Sequence, residues 1–236
     1  MIAKDTIHEV ISNQTDVFFK EKPIERLIEL PSKTNRIIVI SGIRRCGKST
    51  LLKQKFLNEN NALYINFEDP RLVGFDLNDF GRLENILTEQ NKECLLLDEV
   101  QVIEKWELYV RSAKERKINI VITGSNASLL SKELGTKLTG RYQQKELFPF
   151  NYKEFLTFKK KEASVESFTD FFEQGGFPEY IEEPDPDYHR TLLRDIIIRD
   201  IAVRRNLQNE KQLLRLAVHL LTNIGKEFSY NKLSKM

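Results

Sequence analysis

Residues 42–50 read GIRRCGKST, and this stretch decides the fold. It matches the pattern G-x-x-x-x-G-K-[ST], in which backbone N–H groups of a loop surround a phosphate at the start of a helix. Gly42 and Gly47 allow close approach of the backbone, Lys48 is expected to reach the β- and γ-phosphates, and Ser49 is expected to bind Mg²⁺. The other loop residues are expected to line the same site: Ile43, Arg44, Arg45, Cys46 and Thr50.

A second motif, CLLLDE at 94–99, supplies a pair of carboxylates. Its aliphatic residues predict a buried parallel strand, and Asp98 lies at the carboxyl end, where ligands bind in open α/β sheets. Asp98 is therefore the expected partner of Mg²⁺. Glu99 follows directly and is expected to activate the water that attacks the γ-phosphate.

Short apolar runs alternate with amphipathic stretches over the first 150 residues, which predicts a parallel sheet of five strands flanked by helices. The expected strands are 37–41, 63–67, 94–98, 118–123 and about 143–147. The expected helices are 49–57, about 76–88, 106–115 and 127–138. The fold class is α/β, of the type found in P-loop nucleotide-binding domains.

The order of the strands can also be predicted. A whole strand separates the two motifs in sequence, so the strand before the loop and the strand ending at Asp98 need not be neighbours. The fourth strand, within INIVITGSN at 118–126, then fits between them. Its end would bring Ser125 or Asn126 to the attacking water or the γ-phosphate. N-capping of the next helix explains these two residues equally well.

Helical patterns follow one another from residue 151 onward. Asn151 and Glu154 have the spacing of a capping box, and turns are expected at Gly175-Gly176 and at 182–187, EEPDPD. One long helix is expected at 188–205. We therefore divide the chain into a helical segment at 1–35, a phosphate-binding domain at 36–150 and a helical region at 151–236.

Composition excludes several classes of protein. The 236 residues carry a net charge of +2, no apolar run approaches the length of a membrane-spanning helix, and no signal-peptide core is present, so a cytoplasmic location is expected. Two cysteines exclude a disulfide framework, and three scattered histidines give no metal-ligand spacing. Residues 187–236 hold ten Lys or Arg against five Asp or Glu, which leaves DNA as a partner open.

These motifs together resemble the AAA-type ATPases of bacteria and archaea that join a P-loop domain to a helical and winged-helix domain. The resemblance rests on GIRRCGKST, LLLDEVQ, ITGSNASLL, LTGRY at 138–142, LFPFNYKEF at 147–155 and GGFPEY at 175–180. It implies that Arg141 supplies positive charge to the γ-phosphate, either within the chain or across to a neighbouring copy in a homo-oligomer. Residues 216–233 resemble only the opening of the winged-helix element, which is then truncated.

The leading hypothesis is therefore an ATPase that binds ATP and Mg²⁺ and converts hydrolysis into a change of domain geometry. The alternative is a nucleotide-binding module that presents its basic C-terminal helices to DNA or a protein without significant hydrolysis. A small-molecule kinase is disfavoured, because no arginine-rich lid segment is found. A GTPase is disfavoured because the guanine-reading Asn-Lys-x-Asp tetrad is missing, and NKEC at 91–94 fails at its last position.

Overall fold

The computed structural model describes residues 1–20, 24–31, 34–59, 61–124, 140–202 and 207–233. Contacts within the chain divide it into two compact units, residues 1–181 and residues 182–236. The first unit contains a sheet of five strands: β1 (Ile37–Ser41), β2 (Ala62–Asn66), β3 (Cys94–Asp98), β4 (Asn119–Gly124) and β5 (Tyr142–Glu146).

All of the strand pairs are parallel, and the order across the sheet is β2-β3-β4-β1-β5. The prediction that the fourth strand separates the loop strand from the Asp98 strand is confirmed. β4 pairs Gly124 with Ser41 on one side and Ile122 with Leu97 on the other. The carboxyl ends of β1, β3 and β4 therefore meet at one edge of the sheet, which carries the site.

Helices cover both faces of this sheet. Those that pack on it are α1 (Lys4–Lys20), α2 (Lys48–Asn58), α3 (Asp79–Glu89) and α4 (Trp106–Glu115). α5 (Tyr152–Lys159), α6 (Val165–Gln174) and α7 (Pro178–Glu182) follow the sheet and contribute to a separate apolar cluster. Strand side chains alternate between the faces: Leu95 and Leu97 pack in the cluster that contains residues of α1, α3 and α4, whereas Cys94 and Leu96 pack in the cluster that contains residues of α2. Full burial of each such leucine stabilises the fold by roughly 1.5–3 kcal/mol.

The second unit is helical where it is described. It contains α8 (Tyr188–Asp195), a π-helical segment (Ile196–Ala202), α9 (Glu210–Thr222) and α10 (Tyr230–Leu233). The long helix expected at 188–205 is present over its described part, 188–202, but it changes from α-helical to π-helical hydrogen bonding after Asp195. Ile196, Ile197 and Ile198 follow in succession, and β-branched side chains crowd the preceding turn of an α-helix.

The α/β fold class predicted from sequence is confirmed, and the strand bounds agree with the expected ones to within one residue. The capping box of Asn151 and Glu154 and both turns are present. In the segment 1–35, the described helix ends at Lys20. The helix expected at 127–138 lies outside the described residues, and the domain boundaries at 35 and 150 stay predictions. Cys46 and Cys94 are free thiols, and no described helix has the length and apolarity needed to cross a membrane.

Candidate functional site

The loop between β1 and α2 depends on its glycines. Gly47 is the N-cap of α2 and has left-handed backbone angles, φ 96° and ψ 27°. A Cβ on Gly47 would lie 2.8 Å from Arg26 Nη1, and one on Gly42 would lie 2.3 Å from the carbonyl oxygen of Leu147. A side chain at either position collides with the loop's neighbours, so the backbone shape of this phosphate-binding pattern requires glycine.

Lys48 is the first residue of α2 and is 4% exposed. Its Nζ donates to the carbonyl oxygens of Gly42 and Ile43, both at 3.2 Å, and lies 3.9 Å from Glu99 Oε1. The predicted phosphate-binding lysine and the predicted base therefore lie together at the carboxyl edge of the sheet.

Asp98 ends β3 and is fully buried. The Tyr64 hydroxyl donates to Asp98 Oδ2 at 2.7 Å, and the Thr123 hydroxyl donates to Asp98 Oδ1. The same Thr123 oxygen accepts the backbone N–H of Glu99 at 2.9 Å. One threonine at the end of β4 thus fixes both members of the acid pair.

Glu99 has left-handed backbone angles, φ 52° and ψ 42°, which are uncommon for a residue with a side chain. Such conformations cluster at functional sites. Burial raises the pKa of Glu99 above its usual range, and the nearby Asp98 carboxylate raises it further, although Lys48 and Gln101 act in the opposite direction. A carboxylate with a raised pKa is a stronger base for water than an ordinary one.

A cavity of about 380 Å³ opens between the loop and α7. Its described lining combines the loop, the acidic edge of the sheet and an apolar side: Ile24, Arg26, Arg44, Arg45, Gly47, Lys48, Ser49, Thr50, Glu68, Glu99, Phe150, Pro178 and Glu179. Asp98 lies behind this lining rather than in it. The predicted loop residues and Glu99 are thus brought to one cavity.

Two ion pairs connect the loop to other elements. Arg26 donates to Glu154 Oε1 at 3.0 Å and to the carbonyl oxygen of Cys46 at 2.6 Å, and the Arg26 and Glu154 side chains are 3% and 4% exposed. Arg45 pairs with Glu179 on α7. The loop is therefore tied both to the segment before β1 and to two helices after β5.

Sequence reasoning gave no functional role to Arg26, Tyr64, Thr123, Glu154 or Glu179. A tyrosine in the otherwise aliphatic start of β2, ALYI, and a threonine in the TGS run were signals for two of them. The pairing of Arg26 with Glu154 spans 128 positions, and no local pattern indicates it.

Arg141 does not lie at the phosphate cavity of its own chain. Its carbonyl oxygen accepts the N–H of Ile37 at the beginning of β1, whereas the loop follows the end of that strand. Five residues of strand span roughly 16 Å. Its side chain is 55% exposed and pairs with Glu115 at 3.0 Å. Of the two alternatives left open for Arg141, action within its own chain does not fit this position, and action across copies stays a prediction. Ser125 and Asn126 lie outside the described residues.

A family model described as AAA domain matches residues 34–156, just over half of the chain. The chain belongs to this AAA domain family. The matched part begins before β1 and ends within α5, so it contains the loop, the acid pair and Glu154. The AAA domain is a nucleotide-binding module of the ATPase type, and proteins that contain it often oligomerise.

Relatives occur in an archaeon and a bacterium. The chain is 34% identical over 252 aligned residues to "Uncharacterized protein MJ1544" of Methanocaldococcus jannaschii, covering 99% of this chain and 57% of the relative. It is also 34% identical over 234 residues to an "Uncharacterized protein" of Haemophilus influenzae, covering 91% of this chain and 58% of the relative. The chain thus spans somewhat more than half the length of these curated relatives.

Among solved structures, the chain is similar to that of "C. elegans PCH-2", with 14% identity and a TM-score of 0.39. The alignment covers 94% of this chain and 63% of that one. A second similarity, to the "Pnkp1/Rnl/Hen1 complex", has 19% identity and a TM-score of 0.30, covering 58% of this chain and 42% of that one.

Proposed function

We propose that this protein is a Mg²⁺-dependent ATPase that couples hydrolysis to movement of its helical part. One observation carries the proposal: Lys48 Nζ and Glu99 Oε1 lie 3.9 Å apart beside the cavity at the carboxyl edge of the sheet. Phosphoryl transfer to water requires a phosphate-binding cation and a residue that orients or deprotonates the water at the same phosphate, and this pair supplies both.

The loop is suited to the phosphates of ATP. Its backbone enters α2 at Gly47, where the N–H groups and the helix dipole favour negative charge. Lys48 exchanges the two loop carbonyls that it now contacts for phosphate oxygens, which are stronger acceptors because they are charged.

The residues present also fit Mg²⁺. Ser49, which lines the cavity, offers a hydroxyl oxygen of the kind this cation prefers. Asp98 lies behind the lining with both carboxylate oxygens hydrogen-bonded, and each oxygen keeps a second lone pair for the cation or for a water bound to it. No group of three or more His, Cys, Asp and Glu side chains within the described ranges is arranged to hold a metal by itself. Such a site suits Mg²⁺, which is usually bound by one or two carboxylates together with substrate phosphates. When bound, it would neutralise charge on those phosphates.

Glu99 is the proposed general base. It accepts a proton from water as the water oxygen bonds to the γ-phosphorus and the bond from that phosphorus to the β-γ bridging oxygen breaks, which yields ADP and inorganic phosphate. Its raised pKa and its 13% exposure support this role, because a partly buried carboxylate is a better proton acceptor. Ser125 or Asn126 is the further proposed contact of the attacking water.

Movement is proposed to start at Arg45. This loop residue pairs with Glu179 of α7, and Glu179 also lines the cavity. Phosphates in the loop compete with the Glu179 carboxylate for the Arg45 guanidinium. When hydrolysis changes the number of phosphates in the loop, the strength of the Arg45–Glu179 pair changes, and this change acts on α7.

The test is steady-state release of phosphate from ATP with and without Mg²⁺, alongside equilibrium binding of a fluorescent ATP analogue. Glu99→Gln is expected to lower kcat by about 10²- to 10⁴-fold with binding retained. Lys48→Ala is expected to lose binding as well. Glu166→Gln, which changes an exposed glutamate on α6, serves as the matched control and should behave as wild type.

The alternative is a module that binds nucleotide without significant hydrolysis. This alternative is supported if wild type binds the ATP analogue but releases phosphate no faster than Glu99→Gln. Competition by ATP, GTP and inorganic triphosphate in the binding assay then separates recognition of the base from recognition of the phosphates.

A further inference from the structure

Gln101 holds the carboxylate that the proposed function uses as a base. It lies in the 3₁₀ turn Val100–Val102, two residues after Glu99, and its Nε2 donates to Glu99 Oε2. The other oxygen, Oε1, lies 3.9 Å from Lys48 Nζ. The two oxygens of the Glu99 carboxylate therefore have different partners: Oε2 accepts from Gln101, and Oε1 lies beside the phosphate-binding Lys48.

The backbone of Glu99 is fixed as well. Its N–H donates to the Thr123 hydroxyl at 2.9 Å, and its left-handed φ of 52° turns the chain sharply after β3. A glutamate side chain keeps three rotatable bonds beyond a fixed backbone. The hydrogen bond from Gln101 restricts these bonds at the far end of the side chain, together with the looser ion pair to Lys48.

Packing alone does not explain the glutamine. Within the part of the chain that the structure describes, Gln101 Oε1 is buried and has no hydrogen-bond donor within reach. A buried acceptor without a partner destabilises the folded state, and groups of this kind call for a functional explanation. Only one orientation of the amide places N–H toward an ionised carboxylate, and that orientation leaves Oε1 without a partner.

We infer that Gln101 is the positioning residue of the hydrolytic step: it holds Glu99 Oε2 so that Oε1 alone is presented to the attacking water. This inference rests on the proposed function, since it requires Glu99 to act as the base. Gln101 does not line the cavity among the described residues, so it acts through Glu99 and not on the nucleotide. Its loss therefore affects kcat and leaves nucleotide binding in place.

The test compares Gln101→Met with wild type. Methionine keeps the length of the side chain and removes the N–H donor. The expected result is a fall in kcat of about 10- to 100-fold, a fraction of the effect of a general base, with KM and the Kd for ATP changed less than twofold. Gln90→Met is the matched control, because Gln90 is an exposed glutamine at the C-terminal end of α3, and it should leave all three constants unchanged.

A double variant shows whether Gln101 acts through Glu99. Single-turnover hydrolysis by Glu99→Gln with Gln101→Met should be no slower than by Glu99→Gln alone, because the base that Gln101 positions is already missing. If the double variant is slower than Glu99→Gln by the same factor that Gln101→Met shows alone, the inference is overturned, because Gln101 then acts independently of Glu99. If Gln101→Met lowers the free energy of unfolding, Gln101→Glu, which keeps the shape of the side chain, is measured in the same way.

The outcomes separate this inference from the proposed function. If wild type hydrolyses ATP no faster than Glu99→Gln, both the proposed function and the role of Gln101 are contradicted. If wild type hydrolyses ATP, Glu99→Gln does not, and Gln101→Met keeps the kcat of wild type, only the role of Gln101 is contradicted. An equal loss of kcat and of ATP affinity in Gln101→Met also removes it, because a structural defect at the cavity affects both.

Discussion

The Arg26 guanidinium donates to both oxygens of Glu154, from Nε to Oε1 at 3.0 Å and from Nη2 to Oε2 at 3.4 Å. The same guanidinium donates to the carbonyl oxygens of Cys46 and Phe148, and Glu154 also accepts the N–H of Leu27. A buried pair with this many hydrogen bonds is tolerated because nearly every polar atom of it has a partner. Three parts of the chain that are distant in sequence meet at this pair.

Removal of one partner leaves the other charge buried. Arg26→Ala is therefore expected to lower the free energy of unfolding by about 3–5 kcal/mol. Urea unfolding followed by circular dichroism measures this. Lys161→Ala is the matched control, because Lys161 and Asp170 form a solvent-exposed pair, and such surface pairs contribute little to stability. Similar losses in the two variants would show that the Arg26 pair contributes no more than a surface contact.

Asp69 predicts a specific dependence of stability on pH. Hydrogen bonds from Arg71 hold the pKa of Asp69 at about 2, below its ordinary value of 3.8. A lowered pKa in the folded state stabilises the protein above 3.8, and this contribution is lost as the pH falls from 3.8 towards about 2. Solvent around the exposed Arg71 side chain screens the pair and keeps this contribution small. Asp69→Asn should reduce the slope of the urea-unfolding free energy against pH over this range, and an unchanged slope would contradict the assignment.

Two glycines should respond to alanine in opposite directions. A Cβ on Gly176 would lie 2.3 Å from the carbonyl oxygen of Phe150, so Gly176→Ala must displace backbone and is expected to destabilise by more than about 1 kcal/mol. Gly81 lies inside α3 with no atom within 4 Å of a Cβ, so Gly81→Ala should stabilise by about 0.5–1 kcal/mol. Thermal unfolding of both variants measures the two effects. A stabilising Gly176→Ala would contradict the close approach to Phe150.

Thr123 should affect catalysis and stability together. Thr123→Val keeps the shape but removes the hydroxyl that contacts Asp98 and the N–H of Glu99, which is expected to cost about 1–3 kcal/mol of stability. Phosphate release should fall as well, because the acid pair loses its shared anchor. Thr123→Ser restores the hydroxyl and should recover most of both. If Thr123→Ser is as impaired as Thr123→Val, the hydroxyl alone does not account for the role of Thr123.

Arg141 should act across copies of the chain. Arg141→Ala is expected to fold normally, since the residue is exposed, and to hydrolyse ATP about 10³-fold more slowly if its charge reaches a neighbour's phosphates. Mixing Arg141→Ala with Lys48→Ala should then restore part of the activity, because intact sites form between the two kinds of copy. The readout is phosphate release at constant total protein. Absence of any recovery, with mixed oligomers demonstrated, would exclude this role.

The sequence predicted the elements whose physics is local. A glycine-containing loop, an aliphatic strand and a carboxylate pair are each contiguous, so GIRRCGKST and CLLLDE could be assigned without knowledge of the fold. The position of β4 between β1 and β3 also followed, because a whole strand and helix intervene between the motifs.

What was missed depends on contacts between distant residues. Tyr64 and Thr123 act on Asp98 across 34 and 25 positions, and their role appears only when the strands are placed side by side. Whether Arg141 serves its own site or a neighbour's was left open for a similar reason. Its position relative to the loop depends on the register of β5, which pairs Ile37 with Tyr142, and register is not visible in a strand of polar residues.

The alternation of β3 between two apolar clusters has a consequence for how this protein can change over time. A charged residue at 94–97 would have no route to water on either face, so substitutions there should be restricted to apolar side chains of similar volume. α9, none of whose described side chains is buried, has no such restriction from the contacts seen here. Random mutagenesis followed by selection for folded protein should therefore leave β3 almost unaltered while α9 accumulates many alternatives.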